Sequence, residues 1–204
     1  MKQGEAVKFD QFFPRDMAQE IYDYIQEQLY SPHNRWAMVV QDADDNAAHN
    51  LKSTDYIIMV HHIDENDIDL YNRIEKMVNH LIAPHTDLVM DTAMVYAFRR
   101  GNGFPWHNDK MLPPEYYNRE VMRIRPENRF GTLTMYMNKD WEEDWGGLFG
   151  YIQDGKTSFI RPDFNTAMMI SSDIQHKVTP ITPPIPKQGK EYFRTSIQFW
   201  LKHV

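Results

Sequence analysis

None of the 204 residues is cysteine, which removes disulfides, thiolate zinc sites and cysteine nucleophiles together. The absence fits a reducing compartment, and the expected location is the cytoplasm. No stretch approaches the ~18 apolar residues of a membrane span, and Met1 to Phe13 lacks the long apolar run of a secretory signal. No membrane partner is expected. Basic excess is missing too: 22 Lys and Arg against 29 Asp and Glu give −7, the wrong sign for a non-specific nucleic-acid footprint. There is no P-loop, no dinucleotide fingerprint and no G-x-S-x-G elbow, so nucleotide and serine-hydrolase chemistry lack support. Internal repeats and low-complexity runs are also absent.

The composition is otherwise ordinary. With 42% hydrophobic and 25% charged residues, the chain can bury a core, and its length predicts one domain over 1–204. Met17, Ile21, Tyr24, Ile25 and Leu29 recur at helical intervals behind Pro14, predicting a helix over 15–30. A polar stretch over 40–55 reads as loop. Ile68, Leu70, Ile74, Met77, Val78 and Leu81 predict a second helix within 65–83, with Asn66 and Asp67 as cap candidates.

Beyond Pro84 the character changes to short β-type runs, 94–98, 132–137, 148–152, 167–170 and 196–201, separated by Gly, Pro, Asn and Asp. The expected class is α+β, mainly β: a helical first third (about 1–86), then a β core (about 88–204) forming a sandwich or barrel buttressed by the helices. Two long connections, 110–128 and the proline-rich 177–193, are expected to shape a site.

The chemistry concentrates in His107-x-Asp109, with His176 and then Arg194-Thr195-Ser196 far downstream. Two imidazoles and a carboxylate match the facial set that holds Fe(II) and leaves positions open for reactants. On an extended strand or strand end, residues two apart share a face. Arg194 offers a fixed, charged fork suited to a carboxylate, implying a small organic acid as co-substrate. Each element alone has a bland alternative: a solvated turn, a core histidine, a surface ion pair. Order, spacing and flanking strands together favour the metal site. Of the other histidines, His61 and His62 point to opposite faces and chelate poorly, while His33, His49, His80, His85 and His203 are expected on surfaces. Glu142-Glu143-Asp144 reads as a solvated turn before Gly146-Gly147.

These segments resemble the Fe(II)/2-oxoglutarate-dependent dioxygenases, within them the prolyl 4-hydroxylase-like branch that includes the oxygen-sensing prolyl hydroxylases. The likeness runs through Ala93-Met94-Val95, Gly101-Asn102-Gly103 and His107-Asn108-Asp109. It continues in Thr134 to Trp141 with Gly146-Gly147, in Phe164-Asn165 to His176 and Pro180, and in Arg194 to Trp200. It covers roughly residues 88–201. The resemblance implies a double-stranded β-helix (jelly-roll) core. It implies His107, Asp109 and His176 as iron ligands, Arg194 and Tyr136 as the grip on the distal carboxylate of 2-oxoglutarate, and Thr134 and Ser196 lining that pocket. Arg129 and Trp200 would face substrate.

The implied reaction uses Fe(II), 2-oxoglutarate and O2, with ascorbate as reductant, to hydroxylate an unactivated C–H. Asp109 stands where related halogenases carry a small residue, which favours hydroxylation. The first expectation is a prolyl residue of a protein or peptide; the alternatives are a free amino acid or other small metabolite, or a non-catalytic β-helix module. The connections after Asp109 and after His176 are longer than in the oxygen-sensing enzymes, so substrate is the least transferable part of the analogy.

Overall fold

Helix and strand alternate in this chain according to where its apolar residues recur. The computed structural model describes residues 4–31, 36–41, 56–110, 130–182 and 191–204. Helix α1, Arg15–Tyr30, buries Ala18, Ile21, Ile25 and Leu29, a single stripe at helical spacing. After a one-turn helix α2, Ile63–Asn66, helix α3 runs Ile68–Ile82 and buries Leu70, Ile74, Val78 and Ile82. Asp67 caps α3, its carboxylate accepting from the Leu70 N–H at 2.9 Å. Asn66 instead donates to the His62 carbonyl.

Eleven strands are seen among the described residues: β1 Ala6–Phe9, β2 Ala37–Gln41, β3 Tyr56–His62, β4 Leu88–Phe98, β5 Phe104–His107, β6 Gly131–Tyr136, β7 Phe149–Gln153, β8 Lys156–Ile160, β9 Thr166–Ser171, β10 His176–Val178 and β11 Arg194–His203. They form a seven-stranded sheet, β1-β9-β6-β11-β4-β3-β2, and a four-stranded sheet, β5-β10-β7-β8, with every strand pair antiparallel. This is the expected mainly β architecture. The first third is less helical than expected, because β1, β2 and β3 extend the large sheet at both edges. β3 and β2 flank the polar stretch read as loop, of which 42–55 lie outside the described residues.

The pleat of the large sheet sorts its side chains. Leu133, Met135, Ile197, Phe199 and Leu201 join the stripes of α1 and α3 in the main core. The intervening residues, Thr132, Thr134 and Tyr136 on β6 with Arg194, Ser196 and Gln198 on β11, face the opposite way. Helices on one face and the small sheet on the other enclose a polar seam along β6 and β11.

Candidate functional site

His107 ends β5 and His176 begins β10, and the antiparallel register sets them directly opposite each other. Their rings lie 4.1 Å apart between centroids. Asp109 sits in the turn just past β5 rather than on the strand itself. That turn is tied down by Lys110 N–H donating to the Ser172 carbonyl. The Asp109 Oδ1 atom is 3.9 Å from His107 Nε2 and 3.8 Å from His176 Nε2, and the three ligand-type atoms lie within 4.8 Å of one another. Thus the sequence-predicted trio converges.

The surroundings orient each member of the trio. His107 Nδ1 is 2.8 Å from the Pro105 carbonyl and His176 Nδ1 is 3.0 Å from that of Ile174. A carbonyl only accepts, so both Nδ1 atoms carry the proton and both Nε2 lone pairs are left toward Asp109. Thr132 donates its hydroxyl to Asp109 Oδ2 at 2.8 Å, turning Oδ1 to the histidines. The Asp109 side chain is only 3% exposed, and no lysine or arginine among the described residues pairs with it. A dry carboxylate with two imidazole Nε2 atoms turned toward it is set to hold a cation, and this nitrogen and oxygen set suits a divalent iron.

Arg194 opens β11 and is 1% exposed. Its Nε donates to the Gly147 carbonyl at 2.6 Å, and its Cζ lies 5.4 Å and 5.2 Å from the ring centres of Phe98 and Tyr136. Arg194 Nη2 and Tyr136 Oη are both buried without a hydrogen-bond partner. No carboxylate among the described residues pairs with the guanidinium. Burial pulls its pKa down to about 10, with Tyr136 opposing; the Tyr136 phenol is raised by burial, with Arg194 opposing. The un-ionised Tyr136 phenol offers no counter-charge to a guanidinium taken out of water, so the pocket is built for an incoming anion.

Gly147 makes room for that side chain. At φ +65° it already favours glycine, and an added Cβ would meet Arg194 Cδ at 2.9 Å and Trp141 and Ile181 at 3.2 Å. In the sequence Gly146-Gly147 reads as a turn. Glu143–Trp145 indeed forms a short 3-10 turn there.

Other expected residues divide. Ser196 lies beside Tyr136 on β11 and is 1% exposed. Thr134 donates its hydroxyl to Gln198 Oε1 at 2.7 Å, so that hydroxyl is engaged within the protein. Trp200, opposite Thr132, packs with Ile58, Val60, Met94, Phe98, Trp141 and Ile181. Arg129 lies outside the described residues, as do His33 and His49 and all of 111–129 and 183–190. His80, His85 and His203 are exposed as expected. His61 and His62 do face opposite sides, but both are buried; His61 meets the Tyr24 hydroxyl at 2.7 Å. Thr132 was missed as a site residue, although its even spacing from Tyr136 places it on the same face.

The family model for the 2OG-Fe(II) oxygenase superfamily matches residues 92–202, which include the trio and Arg194. The chain belongs to this superfamily. The oxygenase is therefore an oxidoreductase that uses Fe(II), 2-oxoglutarate and O2. Among curated proteins no sequence matches it. Its fold is shared with a prolyl hydroxylase from Trichoplax adhaerens solved with a hypoxia inducible factor oxygen degradation domain peptide fragment (TM-score 0.69, 18% identity, 97% of this chain and 83% of that one). It is similarly shared with a Pseudomonas putida prolyl-4-hydroxylase (TM-score 0.63, 16% identity, 98% and 92%). The viral collagen prolyl hydroxylase of Paramecium Bursaria Chlorella virus-1 follows at TM-score 0.52 and 13% identity, over 98% and 96%. At such identities the likeness speaks for the jelly-roll fold. No helix among the described residues is long and apolar enough to cross a membrane.

Proposed function

We propose that this oxygenase hydroxylates a prolyl residue of a peptide or protein. The observation that carries the reading is the nature of its structural neighbours: prolyl hydroxylases share the fold over nearly the whole of this chain, and one of them was solved with a peptide fragment. In this reading His107, Asp109 and His176 hold the iron through two Nε2 atoms and Oδ1. Bound iron and 2-oxoglutarate supply the oxidation: O2 is consumed, the oxo acid leaves as succinate and CO2, and one oxygen atom enters an unactivated C–H bond.

The chain's own residues supply geometry and charge. Proton donation from both histidine Nδ1 atoms to backbone carbonyls fixes the tautomers that ligation requires. Thr132 fixes Asp109. Arg194 receives the distal carboxylate of 2-oxoglutarate, with Tyr136 donating its hydroxyl to the same group and Ser196 lining the floor. A charge-assisted contact in a water-poor pocket is short and strong, so the co-substrate arrives in one orientation. Trp200 walls the substrate side. Asp109 would serve as a carboxylate ligand of the iron, where related halogenases carry a small residue, which favours hydroxylation.

The test is direct. Purified protein with Fe(II), 2-oxoglutarate and ascorbate is given proline-containing peptides or free amino acids, and succinate release and mass gain of one oxygen are followed together. Peptide turnover with little free amino acid turnover is expected. Efficient oxidation of a free amino acid with none of any peptide would reject the proposal.

A further inference from the structure

Gln198 is a buried polar residue with no part in the scheme above. It lies on β11 opposite Thr134 of β6 and Met94 of β4, and only 9% of it is exposed. The Thr134 hydroxyl donates to its Oε1 at 2.7 Å, which orients the amide and occupies its acceptor. The amide nitrogen carries two N–H donors, and no protein group among the described residues accepts from either. An amide fixed at one end and open at the other is set to donate to whatever enters the seam.

Register says what that visitor presents. The Thr134–Gln198 pair is one step of the strand alternation, roughly 7 Å, from the Thr132–Trp200 pair, and Thr132 holds Asp109. Arg194 lies two steps further in the other direction along the same face. Gln198 therefore stands between the guanidinium and the carboxylate of the metal trio, nearer the trio. A 2-oxo diacid spanning that interval brings its distal carboxylate to Arg194 and a second, anionic acceptor toward Gln198.

We propose that the Gln198 side-chain amide donates to the metal-proximal carboxylate of 2-oxoglutarate and so sets how the oxo acid lies against the metal trio. This rests on the reading in which Arg194 grips the distal carboxylate. Neutral amide to charged carboxylate is the stronger kind of hydrogen bond, and its loss corresponds to about tenfold in affinity.

The experiment uses protein loaded with Zn(II), which accepts the same ligand types without turnover, and measures dissociation constants by ligand-observed NMR. Two probes are compared: 2-oxoglutarate, and levulinate, which keeps the ketone and distal carboxylate but has a methyl group in place of the metal-proximal carboxylate. In Gln198→Leu the constant for 2-oxoglutarate is expected to rise about tenfold while that for levulinate stays within about twofold. Thr134→Val, which frees the amide without removing it, should show a smaller loss of the same selectivity. Gln198→Met, similar in volume, carries the test if the leucine variant does not fold. Equal weakening of both probes, or of neither, overturns the proposal. So does a raised KM for the hydroxylated substrate with unchanged 2-oxoglutarate affinity. Failure of the unsubstituted protein to bind 2-oxoglutarate at all would instead overturn the Arg194 reading beneath it.

Discussion

The two faces of the large sheet are made by the same strands and are both buried, yet they are built to opposite rules. Toward the helices β6 and β11 present Leu133, Met135, Ile197, Phe199 and Leu201, all fully buried and apolar. Toward the small sheet they present Thr132, Thr134, Tyr136, Arg194, Ser196 and Gln198, and there Arg194 Nη2 and Tyr136 Oη lack partners. Burying an unpaired charge costs several kcal/mol, and the helix face is where offsetting apolar burial is concentrated. One face holds the protein together. The other stores binding capacity at the expense of stability.

The sharpest break of that contrast is on the polar face. Asp109→Ala is expected to reduce substrate-coupled succinate release to background. Arg194→Met is expected to weaken 2-oxoglutarate binding by roughly 2–5 kcal/mol, some 30-fold or more in KM. Because it removes a buried charge without a counter-ion, it should leave the thermal midpoint unchanged or raise it. A marked fall in midpoint with KM intact would mean that the guanidinium is structural.

The converse substitution is on the helix face. Phe199 is fully buried and meets Phe13 edge-on, ring centres 6.5 Å apart. Phe199→Ala is expected to cost about 3–5 kcal/mol of stability, measured by denaturant unfolding. KM for 2-oxoglutarate in the folded protein should hold, although Gln198 and Trp200 are its chain neighbours. If KM rose with the loss of stability, the two faces would be coupled rather than divided.

The same division governs what could be read from the sequence. The helix stripes were legible because their apolar residues repeat at the helical period, and β4, β6, β7, β9 and β11 because they are short β-type runs set off by Gly, Pro, Asn and Asp. β1, β2 and β8 escaped notice: they are edge strands, and β8 (KTSFI) is mostly solvent-facing, so no strict alternation marks it. The metal trio was legible as a motif, but its convergence depends on the His176–His107 register, a long-range pairing that no local pattern encodes. Asp109 was expected on a strand or at a strand end and lies in the turn just past the end of β5, where the hydroxyl of Thr132 does the orienting. Gly147 looked like punctuation because only the fold brings the Arg194 stem against it.

A smaller effect refines the comparison within the polar face. Thr132→Val keeps the shape and removes the O–H that holds Asp109 Oδ2. Metal affinity is expected to fall roughly 10–100-fold, as when such outer partners of ligands are removed, readable by competition with a chelator. Affinity for 2-oxoglutarate at saturating metal should change little. If metal binding were untouched, the Thr132 contact would be incidental.

The smallest expected effect tests the helix face at its margin. Asp67 contacts nothing of the seam: its carboxylate accepts the Leu70 N–H and closes the first turn of α3, whose buried stripe underlies the sheet. Asp67→Ala should cost about 1 kcal/mol, a fall of roughly 2–4 °C in thermal midpoint for a chain of this size. Since the helix frays only at its end, the stripe from Leu70 to Ile82 stays packed and the pleat above it keeps its register. Metal and 2-oxoglutarate affinities should therefore be those of the unsubstituted protein. A drop in either would show that the seam feels the helix layer through the sheet, and the boundary between a supporting face and a working face would have to be redrawn at α3.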